Sequence, residues 1–197
     1  SEMYSNKIKS KISENYRFSP SSNYGLAKLK SYKLLKTFRK KYGMHASMGI
    51  LFNHESPRKD TSFVLRKISS SVAQIKYGFK KKIKLGDIQS KRDWGHAKDF
   101  VKAMWLICQQ KKPDDFIIGT GKIHSVEQFA KLAFNYVKLD YKNYIEIDKT
   151  LIRKGDSRPR VANITKIKKK LKWKPNITFN NLVKDMVDSD LKRYIKR

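Results

Sequence analysis

The sequence predicts an α/β fold with a parallel sheet, and two observations lead to that prediction. Short apolar runs alternate with longer segments of helical periodicity. This order is typical of parallel strands connected by helices. Hydrophobic residues make up 39% and charged residues 32% of the 197 residues, which allows a packed core and argues against a disordered chain.

Each predicted element has a local signal. A Ser-Pro-Ser-Ser-Asn turn at 19–23 precedes the first helix, whose apolar residues recur near every 3.6 positions until Gly43. Asp60 or Thr61 is the expected cap of the second helix, and Ser125 caps a later one. The helix at 96–110 is predicted to be amphipathic, with its apolar face formed by Phe100, Val101, Met104, Trp105 and Ile107. The predicted helices are 24–41, 61–77, 96–110, 125–137, 163–171 and 180–194, and the predicted strands are 45–52, 82–85, 116–118 and 144–147.

The net charge of +29 raises the question of a polyanionic partner. Of the 46 basic residues, 36 are lysines and 10 are arginines, and the lysines are spread along the whole chain. Recognition of phosphates and bases tends to use the planar fork of arginine on one element. We therefore expect a solvated basic surface that attracts an anionic substrate, and a nucleic-acid function is unlikely.

Several classes of protein do not fit the sequence. The single cysteine, Cys108, allows no disulfide within the chain, and we expect it to be a small core residue in a cytoplasmic protein. No apolar stretch reaches the roughly 20 residues of a membrane span, and no signal peptide follows Ser1. The histidines have no metal-ligand spacing, so no metal site is predicted. The three tryptophans, Trp94, Trp105 and Trp173, are expected to be packing anchors.

Tyr24 and Lys28 form a Tyr-x-x-x-Lys pattern at the start of the first predicted helix. Residues four apart lie on one helical face, and an ammonium beside a phenol favours the phenolate. Tyr24 is therefore a candidate base near neutral pH. Taken alone, the pattern also fits an ordinary pair on a helix surface.

Polar residues follow the first apolar strand directly. Asn53, His54, Glu55 and Arg58 come after the run ending at Phe52. In open parallel sheets ligands bind beyond the carboxyl ends of strands, so this loop is a candidate polar site. The alternative is a loop with ordinary turn residues.

With these motifs the chain resembles the extended short-chain dehydrogenase/reductase family, and within it the GDP-mannose 4,6-dehydratases. The Tyr-x-x-x-Lys pattern marks only the broad family, whereas the Asn-His-Glu-Ser-Pro loop and the Arg-Asp-Trp-Gly-His run are much more specific. The resemblance covers nearly the whole chain. The runs that carry it are Ser1-Glu2-Met3, Tyr24-Gly25-Leu26-Ala27-Lys28, Gly49-Ile50-Leu51-Phe52-Asn53-His54-Glu55-Ser56-Pro57-Arg58, Phe63-Val64-Leu65-Arg66-Lys67-Ile68, Arg92-Asp93-Trp94-Gly95-His96-Ala97-Lys98-Asp99, Asp115-Phe116-Ile117-Ile118-Gly119-Thr120-Gly121 and Leu171-Lys172-Trp173-Lys174-Pro175.

The resemblance implies a role for particular residues. Tyr24 resembles the catalytic tyrosine, Lys28 its partner that also holds the nicotinamide ribose, and Glu2 the acid/base carboxylate. The implied contacts to an NADP cofactor are Tyr24, Lys28, Leu51, His54 and Lys59, the last standing where the family has a second arginine. The implied contacts to the substrate are Asn53, Lys67, Arg92 and Arg158, with Arg160 as an alternative to Arg158 for binding the diphosphate.

The implied fold is a partial Rossmann-like parallel sheet with an interleaved, smaller substrate-binding subdomain. Residues 1–60 are then the C-terminal part of the NADP-binding domain. Residues 61–197 are mainly the substrate-binding subdomain, with 92–121 returning to the Rossmann sheet. The family's Gly-rich fingerprint and a threonine before Ser1 are absent, so we expect a fragment or a split chain that is inactive alone.

The implied reaction converts GDP-mannose, or a related nucleotide sugar, to its 4-keto-6-deoxy product with bound NADP. The family also implies a homo-oligomer, or a partner that supplies the missing N-terminal half. The segment 155–166 is shorter than in GDP-mannose 4,6-dehydratases and resembles related nucleotide-sugar enzymes. Two alternatives therefore stay open: an NAD(P)-dependent epimerase, decarboxylase or dehydratase acting on another nucleotide sugar, and a non-catalytic basic binding protein.

Overall fold

The structure is a computed structural model that describes residues 1–5, 7–152 and 159–195. Helices and strands alternate along the chain, as predicted. The helices are α1 (Asn23–Tyr42), α2 (Val64–Lys76), α3 (Ala97–Cys108), α4 (Val126–Tyr136), α5 (Thr165–Leu171) and α6 (Phe179–Ile195). The strands are β1 (Met48–Leu51), β2 (Asn53–Glu55), β3 (Ile83–Leu85), β4 (Lys91–Arg92), β5 (Trp94–His96), β6 (Asp115–Ile118), β7 (His124–Ser125) and β8 (Ile145–Ile147).

Strand pairing is mainly parallel, which confirms the predicted α/β class. β1 pairs with β6 in parallel, with Ile50 opposite Ile117, and β3 pairs with β8 in parallel. β2 is hydrogen-bonded to β5, and β4 pairs antiparallel with β7. The chain divides into two compact units, the first made of Ser1–His54, Asp93–Ile123 and Ser157–Asn176 and the second of the remaining segments.

The first unit, which we call unit 1, is built around the β1–β6 pair. Side chains of successive strand residues point to opposite faces of a sheet. Ile117 accordingly joins a cluster that contains residues of the N-terminal segment, such as Tyr4, and Leu29 of α1. Phe116 and Ile118 join a second cluster with residues of α3 and α5. Apolar burial on both faces therefore fixes the strands between α1 on one side and α3 and α5 on the other.

The second unit, unit 2, packs α2, α4 and α6 against one another and carries the β3–β8 pair. A buried ion pair between Arg66 of α2 and Asp190 of α6 lies inside this helical layer. Ser69 donates to the same Asp190 oxygen at 2.8 Å. Arg66 also donates through Nε to the Pro57 carbonyl at 3.1 Å, which ties the loop after β2 to α2.

Helix caps show where local sequence signals decide the structure. Ser125 caps α4 in a complete capping box with Gln128, as predicted. The predicted Asp60 or Thr61 cap of α2 is wrong. Asp60 instead accepts from the Ser62 amide at 2.8 Å within a separate turn, and α2 begins after Phe63 without a side-chain cap.

Two further predictions about the core are wrong. Cys108 is exposed at the end of α3, and Trp105 is 60% exposed, whereas Trp94 and Trp173 are buried as predicted. Val101 is also 61% exposed, so the buried stripe of α3 is Phe100, Ala103 and Ile107. These three positions follow the 3.6-residue period, whereas Val101 and Trp105 lie on the other side of the helix.

Among the described residues, no helix combines the length and the apolar character that crossing a membrane would require.

Candidate functional site

The first turns of α1 carry the Tyr24–Lys28 pair. Ser22 caps this helix by accepting from the Gly25 amide at 3.1 Å, which fixes the backbone that carries Tyr24. The Lys28 ammonium lies 5.3 Å from the centroid of the Tyr24 ring, so the two side chains share one helical face. Tyr24 is 62% exposed, and its hydroxyl is open to a ligand approaching unit 1.

Glu2 lies beside the same helix because Gly25 has no side chain. A Cβ at Gly25 would overlap the Glu2 carbonyl oxygen and would meet Pro20 Cβ at 3.0 Å. The glycine thus lets the backbone of Glu2 lie directly against the first turn of α1. The predicted acid/base carboxylate and the predicted catalytic tyrosine are consequently carried by adjoining backbone segments.

The carboxyl end of β1 is the third part of this arrangement. The amine of Ser1 donates to the Leu51 carbonyl at 2.6 Å. Ser1 and Glu2 therefore lie at the carboxyl end of β1 and against the first turn of α1, which is the end of a parallel strand where ligand-binding residues are found.

Arg160 holds the Glu2 carboxylate. Its Nη1 donates to Glu2 Oε1 at 2.7 Å, and its Nε donates to the Tyr4 carbonyl at 3.2 Å. The Arg160 side chain is 14% exposed and that of Glu2 is 40% exposed. The sequence had suggested Arg160 only as an alternative diphosphate ligand, and no sequence signal pointed to its contact with Glu2.

The predicted contacts Asn53 and His54 lie in β2, directly after β1, and Lys59 follows in the next loop. His54 Nδ1 lies 3.1 Å from the Phe52 carbonyl, and its ring lies 5.0 Å from that of Phe100. Asn53 is half-buried in β2. These contacts orient the imidazole from within unit 1.

In unit 2, Lys59 forms an ion pair with the buried Glu55 at 2.8 Å and lies 4.3 Å from the Phe63 ring centroid. Burial raises the pKa of Glu55, and the charge of Lys59 opposes that rise. Part of the Lys59 charge is therefore already engaged by the protein itself.

Lys67 and Arg92, the predicted diphosphate contacts, both lie in unit 2. Lys67 Nζ donates to the Lys84 carbonyl at 2.7 Å, and Arg92 Nη1 donates to Ser90 Oγ at 2.9 Å. Each cation is thus held by its own neighbours. The remaining predicted contact, Arg158, lies outside the described residues.

Asp93 is a structural residue of unit 1 that the sequence did not single out by itself. Its fully buried carboxylate accepts from the amides of Thr120 at 2.8 Å, Gly121 at 2.9 Å and Ala162 at 3.0 Å. Burial raises the pKa of Asp93, and these hydrogen bonds oppose the rise. This clasp fixes the backbone two residues after Arg160 and so contributes to the placement of its guanidinium.

Comparison with solved structures places unit 1 and unit 2 in a known class of folds. RMD from Pseudomonas aeruginosa, solved in complex with NADPH, aligns with a TM-score of 0.85 and 20% identity over 92% of this chain and 60% of that chain. dTDP-glucose 4,6-dehydratase from Bacillus anthracis, in complex with NAD, aligns with a TM-score of 0.85 and 21% identity over 98% and 60%. The chain therefore has the Rossmann-type fold of these structures.

Sequence comparison defines the family more narrowly. The family model described as GDP-mannose 4,6 dehydratase matches residues 1–186. GDP-mannose 4,6 dehydratase 1 of Arabidopsis thaliana is 45% identical over 91% of this chain and 50% of its own length. The human GDP-mannose 4,6 dehydratase is 40% identical over 97% of this chain and 56% of its own length. The chain belongs to the GDP-mannose 4,6-dehydratase family, and it spans about half the length of the curated relatives that it matches.

Proposed function

We propose that these residues serve a nucleotide-sugar dehydratase that converts GDP-mannose to GDP-4-keto-6-deoxymannose with bound NADP. One observation carries the proposal most directly: Glu2, which follows Ser1 at the carboxyl end of β1, lies against the helical turn that carries Tyr24 and Lys28. The curated relatives at 40–45% identity are named for this reaction, which supports the same substrate here.

Each proposed catalytic residue moves or holds a proton at a stated atom. Tyr24 takes the proton of the sugar C4 hydroxyl, and the adjacent Lys28 ammonium, 5.3 Å from the centre of its ring, is placed to bind beside it. Oxidation at C4 acidifies C5, and Glu2 then removes the C5 proton and delivers it to the C6 hydroxyl, which leaves as water. When hydride reaches C6, C5 regains a proton from solvent. The nicotinamide, when bound, supplies the reversible hydride transfer between C4 and C6.

The residues fit one end of such a cofactor. Lys28 is exposed beside Tyr24, so its ammonium can donate to ribose hydroxyls. Residues 1–197 contain no Gly-rich pyrophosphate loop. The one Gly-x-Gly stretch is already engaged, because the amides of Thr120 and Gly121 donate to Asp93. We therefore assign Tyr24, Lys28, Leu51 and His54 to the nicotinamide end, with Lys59 as a further cofactor contact.

We assign the binding of nucleotide sugar mainly to the segments of unit 2. Lys67 and Arg92 bind the diphosphate, and Asn53 of β2 contacts the sugar. Arg158 is a further proposed diphosphate ligand. These assignments divide the chain into two proposed parts. The cofactor-binding part is 1–60 with 92–121, and the substrate-binding part is the rest of 61–197. Self-association in the cytoplasm completes the proposal.

The test separates the two proton-transfer roles. It uses the extended chain, by which we mean residues 1–197 preceded by the Gly-rich segment of a GDP-mannose 4,6-dehydratase. Glu2→Gln keeps the size of the side chain but cannot take the C5 proton, whereas Tyr24→Phe removes the group needed for oxidation at C4. Single-turnover mixing with GDP-mannose follows NADPH absorbance and solvent deuterium exchange at C5.

We expect Glu2→Gln to accumulate NADPH with little C5 exchange and Tyr24→Phe to show neither. Loss of a general base costs about 10²–10⁴ in rate, so the reduced state of Glu2→Gln should be long-lived. Tyr42→Phe, on the same helix and 58% exposed, is the matched control and should behave as the unsubstituted chain. A Glu2→Gln variant that exchanges C5 and forms product at the normal rate would favour an epimerase or decarboxylase reaction instead.

A further inference from the structure

Arg160 makes two hydrogen bonds within the protein that binding of a substrate diphosphate would not require. Its Nη1 reaches Glu2 Oε1 at 2.7 Å while its Nε reaches the Tyr4 carbonyl at 3.2 Å. Tyr4 is fully buried, and its ring packs 4.8 Å from that of Phe18. The Tyr4 carbonyl is therefore a fixed point, and the guanidinium that binds it is fixed as well.

The backbone that carries Arg160 is also held in place. The Ile12 amide donates to the Val161 carbonyl at 2.8 Å, and the Asn163 amide donates to the Ile12 carbonyl at 2.8 Å. The Ala162 amide donates to Asp93 at 3.0 Å. The two residues after Arg160 thus have no freedom to shift, and its side chain starts from a defined position.

The backbone of Glu2 lies against Gly25, and its carboxylate is bound by Arg160. Its side chain is 40% exposed, and an exposed glutamate has several accessible rotamers. The contact with Arg160 selects among them by holding one carboxylate oxygen. The planar guanidinium makes this selection directional, because its N–H groups point along fixed lines.

We propose that Arg160 is a positioning residue for the Glu2 carboxylate and not a ligand of the substrate diphosphate. Arg160 holds Oε1, and Oε2 is left to face the substrate and to take the proton. This inference rests on the proposed function of Glu2. In this role the guanidinium acts on Glu2, a residue of the same unit.

Two measurements on the extended chain distinguish the roles. If Arg160 positions Glu2, Arg160→Gln lowers kcat by about 10- to 100-fold, leaves the affinity for GDP within twofold, and still allows NADPH to accumulate in a single turnover. Arg160→Lys keeps the charge without the fork, and we expect it to restore only part of kcat. Arg17→Gln, at an exposed arginine of the same unit, is the control and should leave kcat and GDP affinity unchanged.

A double variant distinguishes a loss of kcat that acts through Glu2 from one caused by a general loss of structure. If Arg160 acts through Glu2, then Glu2→Gln with Arg160→Gln is no slower than Glu2→Gln alone. Additive losses in kcat, or a tenfold weaker binding of GDP with kcat unchanged, would overturn the proposal. The melting temperature of each variant shows whether folding is kept, and Arg160→Lys replaces Arg160→Gln if the latter unfolds.

Failure of the proposed function gives a different result. In that case Glu2→Gln itself turns over normally, whatever happens at Arg160. A normal Glu2→Gln variant refutes both ideas, whereas a stalled Glu2→Gln variant combined with a normal Arg160→Gln variant refutes only the positioning role.

Discussion

Lys67 and Arg92 allow the binding of substrate to be tested one side chain at a time. Lys67→Ala or Arg92→Ala in the extended chain should weaken the binding of GDP itself, because each removes a charge-assisted contact to phosphate worth about 1.5–3 kcal/mol. That corresponds to roughly 10- to 150-fold in Kd, measured by calorimetry.

The control for this pair is Lys76→Ala, since Lys76 is exposed at the end of α2. A variant that keeps the original GDP affinity would exclude the substituted residue as a diphosphate ligand. Melting curves are needed for Lys67→Ala, because Lys67 also donates to the Lys84 carbonyl.

Gly25 sets the distance between Glu2 and α1. Gly25→Ala should destabilise the chain by about 1–3 kcal/mol, because the new methyl group meets a backbone carbonyl that cannot move aside easily. Helix propensity alone predicts the opposite sign, a gain of about 1 kcal/mol. Urea denaturation measures the sign directly, with Ser31→Ala in the same helix as the control. A stabilised Gly25→Ala variant would show that Glu2 can move away from α1 at little cost.

The attachment of α5 to β6 depends on charge. Asp114, just before β6, accepts from Lys166 at 2.7 Å and from Lys170 at 2.8 Å, both on α5. Burial opposes ionisation, but these hydrogen bonds prevail and hold the pKa of Asp114 at about 2, below its usual 3.8.

A carboxyl whose pKa is lower in the folded than in the unfolded state stabilises the fold at pH values above its unfolded pKa. This stabilisation is lost as the pH falls through the folded pKa. Lys166→Met should therefore cost about 0.2–1 kcal/mol at pH 7. The cost should shrink as the pH falls below about 4 and should be lost as the pH falls through about 2. Denaturation at several pH values measures this. Lys169→Met on the same helix is the control, and a cost that does not change with pH would assign the effect to packing.

The positions of helices and strands could be predicted from the sequence where a single local pattern determines them. The Ser125 cap located the start of α4, and the apolar run at 116–118 located β6. Patterns of hydrophobicity do not say how wide the buried stripe is. Hence Trp105 and Val101 of α3, together with Cys108 at its end, were expected inside and are exposed.

The candidate site was predictable only in its residue types. Tyr24 and Lys28 are four apart on one helix, so their proximity follows from the sequence. Arg160 and Glu2 are 158 residues apart, and only the folded chain brings them together. Gly25, within the first turn of α1, was the one local signal of a close approach, since glycine there costs helix stability.

The sequence of residues 1–197 contains no Gly-rich turn of the kind on which a cofactor pyrophosphate normally lies at a helix N-terminus. We expect these residues alone to bind NADP more weakly than millimolar and to show no dehydratase activity. Calorimetry measures this, with the extended chain as the control. Micromolar binding by residues 1–197 would contradict the expectation and would require a different pyrophosphate site.

The Asp93 clasp also bears on the order in which the chain folds. The carboxylate needs amides from two separate segments, and one of them, Ala162, is 69 residues away. A half-formed clasp would bury a charge without its donors, so we expect it to close after the folding transition state. Asp93→Asn turns one acceptor into a donor facing another donor, which costs about 1–3 kcal/mol. In stopped-flow measurements this should leave the folding rate nearly unchanged and speed unfolding by about 5- to 150-fold. A single buried carboxylate would then set how long the native state lasts, while contributing little to how fast it is reached.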